Sequence, residues 1–125
     1  MNFLPLCFLS IALMLPLGLN GNVIVLTETN FDEITSQNKI MVKFYAPWCG
    51  YCVQMKNDYM NLANKLKDEG SEIKVGAVDC DQHGRVCKGV KGFPTLRFYR
   101  KGSSTLDYTG QRTVNPMYKF LTTNA

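Results

Sequence analysis

The sequence predicts an α/β domain in which a central mixed β-sheet is flanked by helices on both faces. Three observations carry this. The run Ile40-Met41-Val42-Lys43-Phe44-Tyr45-Ala46 is apolar at nearly every position rather than at alternate ones, which is the pattern of a strand buried on both faces. Helix-like segments follow the early strand-like ones. A candidate hairpin then precedes a last helix, which adds antiparallel pairing to the sheet.

Each element has its own signal. Asn22–Thr27 reads NVIVLT, a short first strand. A short helix over 31–37 follows, with Asn30 or Asp32 as its cap and Phe31 and Ile34 on its inner side. The central strand covers 39–46, and Pro47 cannot continue its ladder. Over 49–68 the apolar positions Met55, Tyr59, Leu62, Ala63 and Leu66 fall at helical spacing, and Gly70 supplies a stop. A further strand fits 73–78, and a turn or short helix fits 81–88. Leu96 and Phe98 alternate with Arg97 and Tyr99, as in a half-exposed strand. Residues 101–104 read as a hairpin turn leading to a short strand near 105–108. A helix over 113–121 closes the series, with Pro116 in its first turn.

The amino terminus bears on compartment. Residues 3–19, FLPLCFLSIALMLPLGL, hold no charged side chain. Pro5 and Pro16 interrupt the run, which is short for a span of about 20 apolar residues. The position fits a secretory signal peptide over 1–20, with an approximate cleavage site and no Lys or Arg ahead of the apolar core. An uncleaved anchor and a buried first helix are the other readings. Residues 21–125 then form one domain. Nothing in them is apolar enough to span a bilayer, so no stable membrane insertion is expected once the signal is removed.

With Cys7 in the signal, Cys49, Cys52, Cys80 and Cys87 remain. An even number suits two disulfides in an oxidising compartment. Of the three pairings that four cysteines allow, proximity favours Cys49–Cys52 with Cys80–Cys87. The formal charge of +4 comes from 14 basic and 10 acidic residues that are interspersed along the chain. The basic bias from Arg85 to Lys101 is too sparse for a nucleic-acid footprint.

Cys49-Gly50-Tyr51-Cys52 stands at a strand-to-helix junction, where unpaired helical amides and the helix dipole favour a thiolate on the first cysteine. Cys49 reads as the nucleophile and Cys52 as the resolving thiol, with a permanent staple as the bland alternative. Gly50 keeps a side chain away from an approaching substrate. Trp48 either shapes an exposed rim or packs into the core. Zinc would need further ligands, and His83 is the only histidine, so neither a metal nor another cofactor is expected.

Four segments in this order and spacing carry a family resemblance: FYAPWCGYC at 44–52, VDCD at 78–81, GVKGFPTLRFY at 89–99 and YTGQR at 108–112. The chain resembles thioredoxin-fold domains, and most closely the catalytic domains of protein disulfide isomerases, from about Val23 to Leu121. The resemblance implies the mixed thioredoxin sheet, a cis Pro94 facing the cysteine pair, and a Phe93 backbone offered to an extended substrate. It also implies a structural Cys80–Cys87 bond.

The departures from the family are as informative. Tyr51 stands where these enzymes carry histidine, so no imidazolium stabilises the Cys49 thiolate. Lys43 stands where they carry a buried carboxylate beneath the pair. Its ammonium either tunes the thiols or reaches out to solvent along its stem. Val53 and Asn57 replace a lysine and a proline, which predicts a straighter helix there. Arg112 is retained, either lowering the resolving thiol's pKa or lying on the surface.

The expected function is that of a protein disulfide isomerase, a dithiol–disulfide oxidoreductase that forms, reduces or rearranges disulfides in secretory-pathway proteins. A secreted thioredoxin-like reductase and a non-catalytic client-binding chaperone module are the alternatives. Expected partners are cysteine-containing client proteins and a redox partner or glutathione. The expected location is the endoplasmic reticulum lumen or the exterior, with the protein a monomer.

Overall fold

The apolar run in the middle of the chain forms the central strand of the sheet. The computed structural model describes residues 21–125, and the expected signal segment 1–20, with Cys7, lies outside the described residues. The elements in chain order are β1 (Ile24–Leu26), α1 (Phe31–Gln37), β2 (Lys39–Tyr45), α2 (Gly50–Gln54), α3 (Lys56–Asp68) and β3 (Lys74–Asp79). A 3-10 turn (Gly84–Cys87), β4 (Thr95–Arg100), β5 (Leu106–Tyr108) and α4 (Val114–Asn124) follow. The sheet runs β1-β3-β2-β4-β5. β3 is parallel to both β1 and β2, while β4 is antiparallel to β2 and β5. This is the mixed sheet that the resemblance implies.

Ile40 to Phe44 are all buried, and their alternation divides them between two cores. Met41 packs with Tyr59, Leu62, Leu66, Met117 and Leu121, under α3 and α4. Ile40, Val42 and Phe44 pack with Phe31 of α1 on the opposite face. Each such fully buried side chain contributes about 1.5–3 kcal/mol of transfer free energy. Tyr59 also joins strands: its hydroxyl lies 2.7 Å from the Gly76 carbonyl oxygen and 3.1 Å from that of Met41. Gly76 is required by packing, since a Cβ there would come within 3.1 Å of both Ile40 and Leu26.

Several local expectations are met in detail. α3 ends in a Schellman arrangement, in which the Gly70 and Ser71 amides donate to the carbonyls of Lys67 and Leu66. Gly70 takes the left-handed φ of +70° that this ending needs. The hairpin turn has Lys101 and Gly102 both at positive φ. Cys80 and Cys87 are joined in a disulfide with Cα atoms 5.8 Å apart. The Cys80 amide donates to the Tyr45 carbonyl at 2.8 Å, which ties the stapled segment to the end of β2.

Two local expectations need correction. The helix expected over 49–68 is broken at Met55, whose backbone leaves helical geometry at φ −91°, ψ 0°. The straighter helix expected from Val53 and Asn57 is therefore not found, and the break needs no proline. The two segments bury different faces, Cys52 packing with Ala46 and Cys49 while Met55 and Tyr59 pack into the main core. Asn30 sits at the N-cap of α1, yet its side chain turns back to accept from the Thr27 amide at 2.7 Å and donate to Val25. The alternation expected of β4 is met: Leu96 and Phe98 are buried, while on the half-exposed side Tyr99 meets Phe31 edge-on and Arg97 pairs with Asp107 at 2.7 Å.

Two stability measurements test these ties. Replacing both Cys80 and Cys87 by Ser reopens a loop whose ends are seven residues apart, and is expected to cost about 2–3 kcal/mol in chemical denaturation. Tyr59→Phe removes the buried donor that bridges β2 and β3, and is expected to cost about 1–2 kcal/mol in the same measurement.

Candidate active site

The cysteine pair is positioned by the end of β2. After Tyr45 the chain leaves the sheet, and Ala46 accepts a hydrogen bond from the Cys49 amide at 3.1 Å. Cys49 is the N-cap of α2, with extended φ and ψ of −81° and 119°. Its carbonyl takes the Val53 amide at 3.1 Å, and its sulfur accepts from the Cys52 amide at 3.3 Å. A cap normally uses a side-chain oxygen for this task; here the Cys49 sulfur does it. Both cysteines are buried free thiols. The Cys49–Cys52 bond favoured by proximity is not formed in this structure.

A second loop closes over the first thiol. The Phe93-Pro94 peptide is cis, and the Cys49 thiol lies 3.5 Å from the Phe93 carbonyl oxygen. Phe93 also meets Trp48 edge-on, with centroids 5.9 Å apart. Trp48 is 70% exposed, so it belongs to the rim and not to the core. Its indole N–H points to an Asp81 oxygen at 3.4 Å, beside the stapled Cys80. Tyr51 and Val53 are exposed as well. Gly50 is exposed, and a Cβ there would meet nothing within 4 Å, so the space in front of the pair stays clear. The result is an apolar rim around a recessed sulfur.

The two thiols differ in their electrostatics. Burial opposes charge on Cys49, but hydrogen bonds from the Cys52 thiol and from the Cys52 and Tyr51 amides outweigh it, and Arg112 adds its positive charge. The net direction is below the ordinary thiol value. Burial dominates at Cys52, and its hydrogen bond with Cys49 acts in the same sense, so its pKa is pushed up to about 11. The first thiol is thus the better nucleophile at neutral pH, while the second keeps its proton.

Arg112 reaches this site from the segment before α4, with its guanidinium 5.9 Å from the Tyr51 ring centroid. Its charge acts on Cys49, whereas the resemblance assigned it to the resolving thiol. The aromatic ring that replaces an imidazole thus holds a cation beside the same sulfur.

Lys43 neither pairs with a carboxylate nor extends freely into water. It is 7% exposed, and its ammonium lies 4.8 Å from the Tyr59 ring centroid and 5.2 Å from that of Tyr45. Burial lowers its pKa; Cys52 acts in the opposite sense and Lys56 in the same one. Lys43, Cys52, Tyr45, Tyr59 and Lys56 line one cleft of about 340 Å³ behind the pair.

Sequence reasoning missed four of these participants. Tyr59 carried only a core signal from its helical spacing. Tyr45 lay in an apolar strand and Lys56 on the exposed side of a helix. Asp81 was visible within VDCD, but its link to Trp48 depends on the fold.

The Thioredoxin family model matches residues 22–123. The chain is 36% identical over 110 residues to protein disulfide-isomerase 1 of Dictyostelium discoideum, covering 84% of the chain and 30% of that protein. It is 37% identical over 105 residues to the protein disulfide-isomerase of Oryctolagus cuniculus, covering 80% and 21%. The chain spans less than a third of the length of either relative. The solution structure of the first thioredoxin domain of mouse protein disulfide-isomerase A4 superposes with a TM-score of 0.72 at 32% identity, covering 82% of this chain and 74% of that one.

Arg112→Gln removes a charge that favours the Cys49 thiolate. Alkylation of Cys49 by iodoacetamide at pH 7 is expected to slow about two- to five-fold, the effect of an exposed charge worth under about 1 kcal/mol. Cys52 is expected to stay unmodified under the same conditions, as mass spectrometry of the labelled protein would show.

Proposed function

The chain belongs to the protein disulfide isomerase family as a thioredoxin-like domain, and on that premise we propose that it is a thiol–disulfide oxidoreductase acting on client proteins through Cys49 and Cys52. The observation that carries this reading is the unequal pair at the start of α2. Cys49 is favoured as thiolate beneath an apolar rim, and Cys52 is held protonated one turn behind it.

In the reductive direction, the Cys49 thiolate attacks one sulfur of a client disulfide. The client S–S bond breaks, a mixed disulfide forms, and the other client sulfur leaves as a thiolate that takes up a proton. Cys52 then loses its proton and attacks the Cys49 sulfur. The Cys49–Cys52 bond forms and the second client thiolate departs. Two electrons have moved from the pair to the client. In the oxidative direction the same steps run backwards. Phe93 and Pro94 supply backbone for an extended client strand, and Trp48 supplies an aromatic edge. Lys43 and Arg112 act by charge on Cys52 and Cys49, respectively.

Residues 1–20 serve as the secretory signal and residues 21–125 as the catalytic domain. The compartment is the endoplasmic reticulum lumen or beyond it, where the family resemblance and the Cys80–Cys87 bond both fit. No helix among the described residues is long and apolar enough to cross a membrane.

Tyr51 supports a second reading, a secreted thioredoxin-like reductase. A neutral phenol gives the thiolate no imidazolium, so the reduced pair is less stabilised and the disulfide less oxidising. A glutathione redox titration separates the two. A potential near about −180 mV supports isomerase and oxidase work, and one near about −270 mV supports reduction.

Exchange with a scrambled disulfide substrate is expected to fall to the uncatalysed background in Cys49→Ser. Cys52→Ser is expected to accumulate a mixed disulfide with the substrate, visible on non-reducing gels. Unchanged substrate refolding in Cys49→Ser would favour a client-binding module instead.

A further inference from the structure

Lys43 is the one buried charged side chain among the described residues. Its ammonium is not sealed in the core but opens onto the cleft, so it is only partly stripped of water, at some cost. The two tyrosine faces compensate in part, since a cation over a ring gains about 0.5–2 kcal/mol. No carboxylate or hydrogen-bond acceptor of the described residues reaches the Lys43 ammonium, and no acidic residue lines the cleft it borders. Lys56 stands on the same cleft as a second cation. Across the β2–β3 pair Lys43 is registered with Ala77, whose small side chain leaves the space open. The remaining walls are mostly apolar, with Ala46, Val53 and Met60 among them. Apolar walls with a few convergent polar groups are the ordinary composition of a small-molecule site.

We propose that this cleft of about 340 Å³ binds a small organic monocarboxylate, with its carboxylate on the Lys43 ammonium and its apolar body against Tyr45, Val53 and Met60. The carboxylate supplies the charge-assisted hydrogen bonds that no described protein group offers Lys43. The body of the ligand covers apolar wall that is otherwise wetted. Cys52 lines the same cleft. On the reading of Cys52 as resolving thiol, an occupied cleft cancels the positive charge that favours its thiolate and so slows the second exchange step.

Titration of hexanoate into the reduced, isotope-labelled protein tests this by NMR, independently of any exchange assay. Saturable shifts are expected at the Ala46, Ala77 and Val53 methyls and at the Lys43 Cε. Hexanamide has the body without the charge, and acetate has the charge without the body; each is expected to bind about ten-fold more weakly or worse. Lys43→Met is expected to weaken hexanoate by about the same factor, the loss of a hydrogen bond to a charged group. Ala77→Val narrows the cleft and leaves both lysines in place, and is expected to weaken hexanoate too. The proposal is overturned if hexanamide binds as tightly as hexanoate, or if the shifts spread over surface lysines instead of the cleft. Absence of saturable shifts, or unchanged affinity in a folded variant, overturns it as well.

Discussion

β2 is held between a parallel neighbour and an antiparallel one and is covered on both faces, so the point where it ends is not free to move. The thiol chemistry is arranged from that point. Pro47 follows the strand and cannot prolong its ladder. The chain turns within the Ala46–Cys49 hydrogen bond and enters α2 with Cys49 as its cap. The same strand end takes the Cys80 amide on the Tyr45 carbonyl, and through Asp81 it is tied to Trp48. A looser β2 would displace Cys49, the rim and the stapled segment together.

Placing Cys49 at the cap gives the pair its asymmetry. Cys49 collects donors because a helix start has amides without intrahelical acceptors. Cys52 lies one turn inside, where burial dominates and those amides are already used. The difference between the thiols therefore comes from backbone position first and from side-chain charge second. Arg112 and Lys43 act on opposite members of the pair, each as a cation next to an aromatic ring. Among the described residues no carboxylate acts on either thiol, which sets this site apart from the arrangement the family resemblance implied for position 43.

The elements legible in the sequence were those whose signal is local and repeated. The unbroken apolar run of β2, the helical spacing of Tyr59, Leu62 and Leu66, the glycine stop at Gly70 and the turn at Lys101-Gly102 all report on their own segment. The break at Met55 has no such mark, because it arises from two helical segments serving two different cores. Asn30 is a good cap residue whose side chain found closer partners at Thr27 and Val25. At the site, the cysteines and the Phe93-Pro94 loop were readable from motifs. The side of the pair that Arg112 serves was not, since it depends on how the segment before α4 lies against Tyr51. The resting place of Lys43 was open for the same reason: the two rings that receive it come from β2 and α3, and only the fold brings them together.

Trp48 is the chain's single tryptophan, and it stands next to the reactive sulfur with most of its surface in water. Its emission is therefore unmixed with that of any other indole. An exposed indole emits to the red, and coverage by a client shifts it to the blue. A sulfur that changes between thiolate and disulfide one residue away alters its quenching. The molecule thus carries an optical gauge of its own oxidation state and occupancy, readable without a dye or a label.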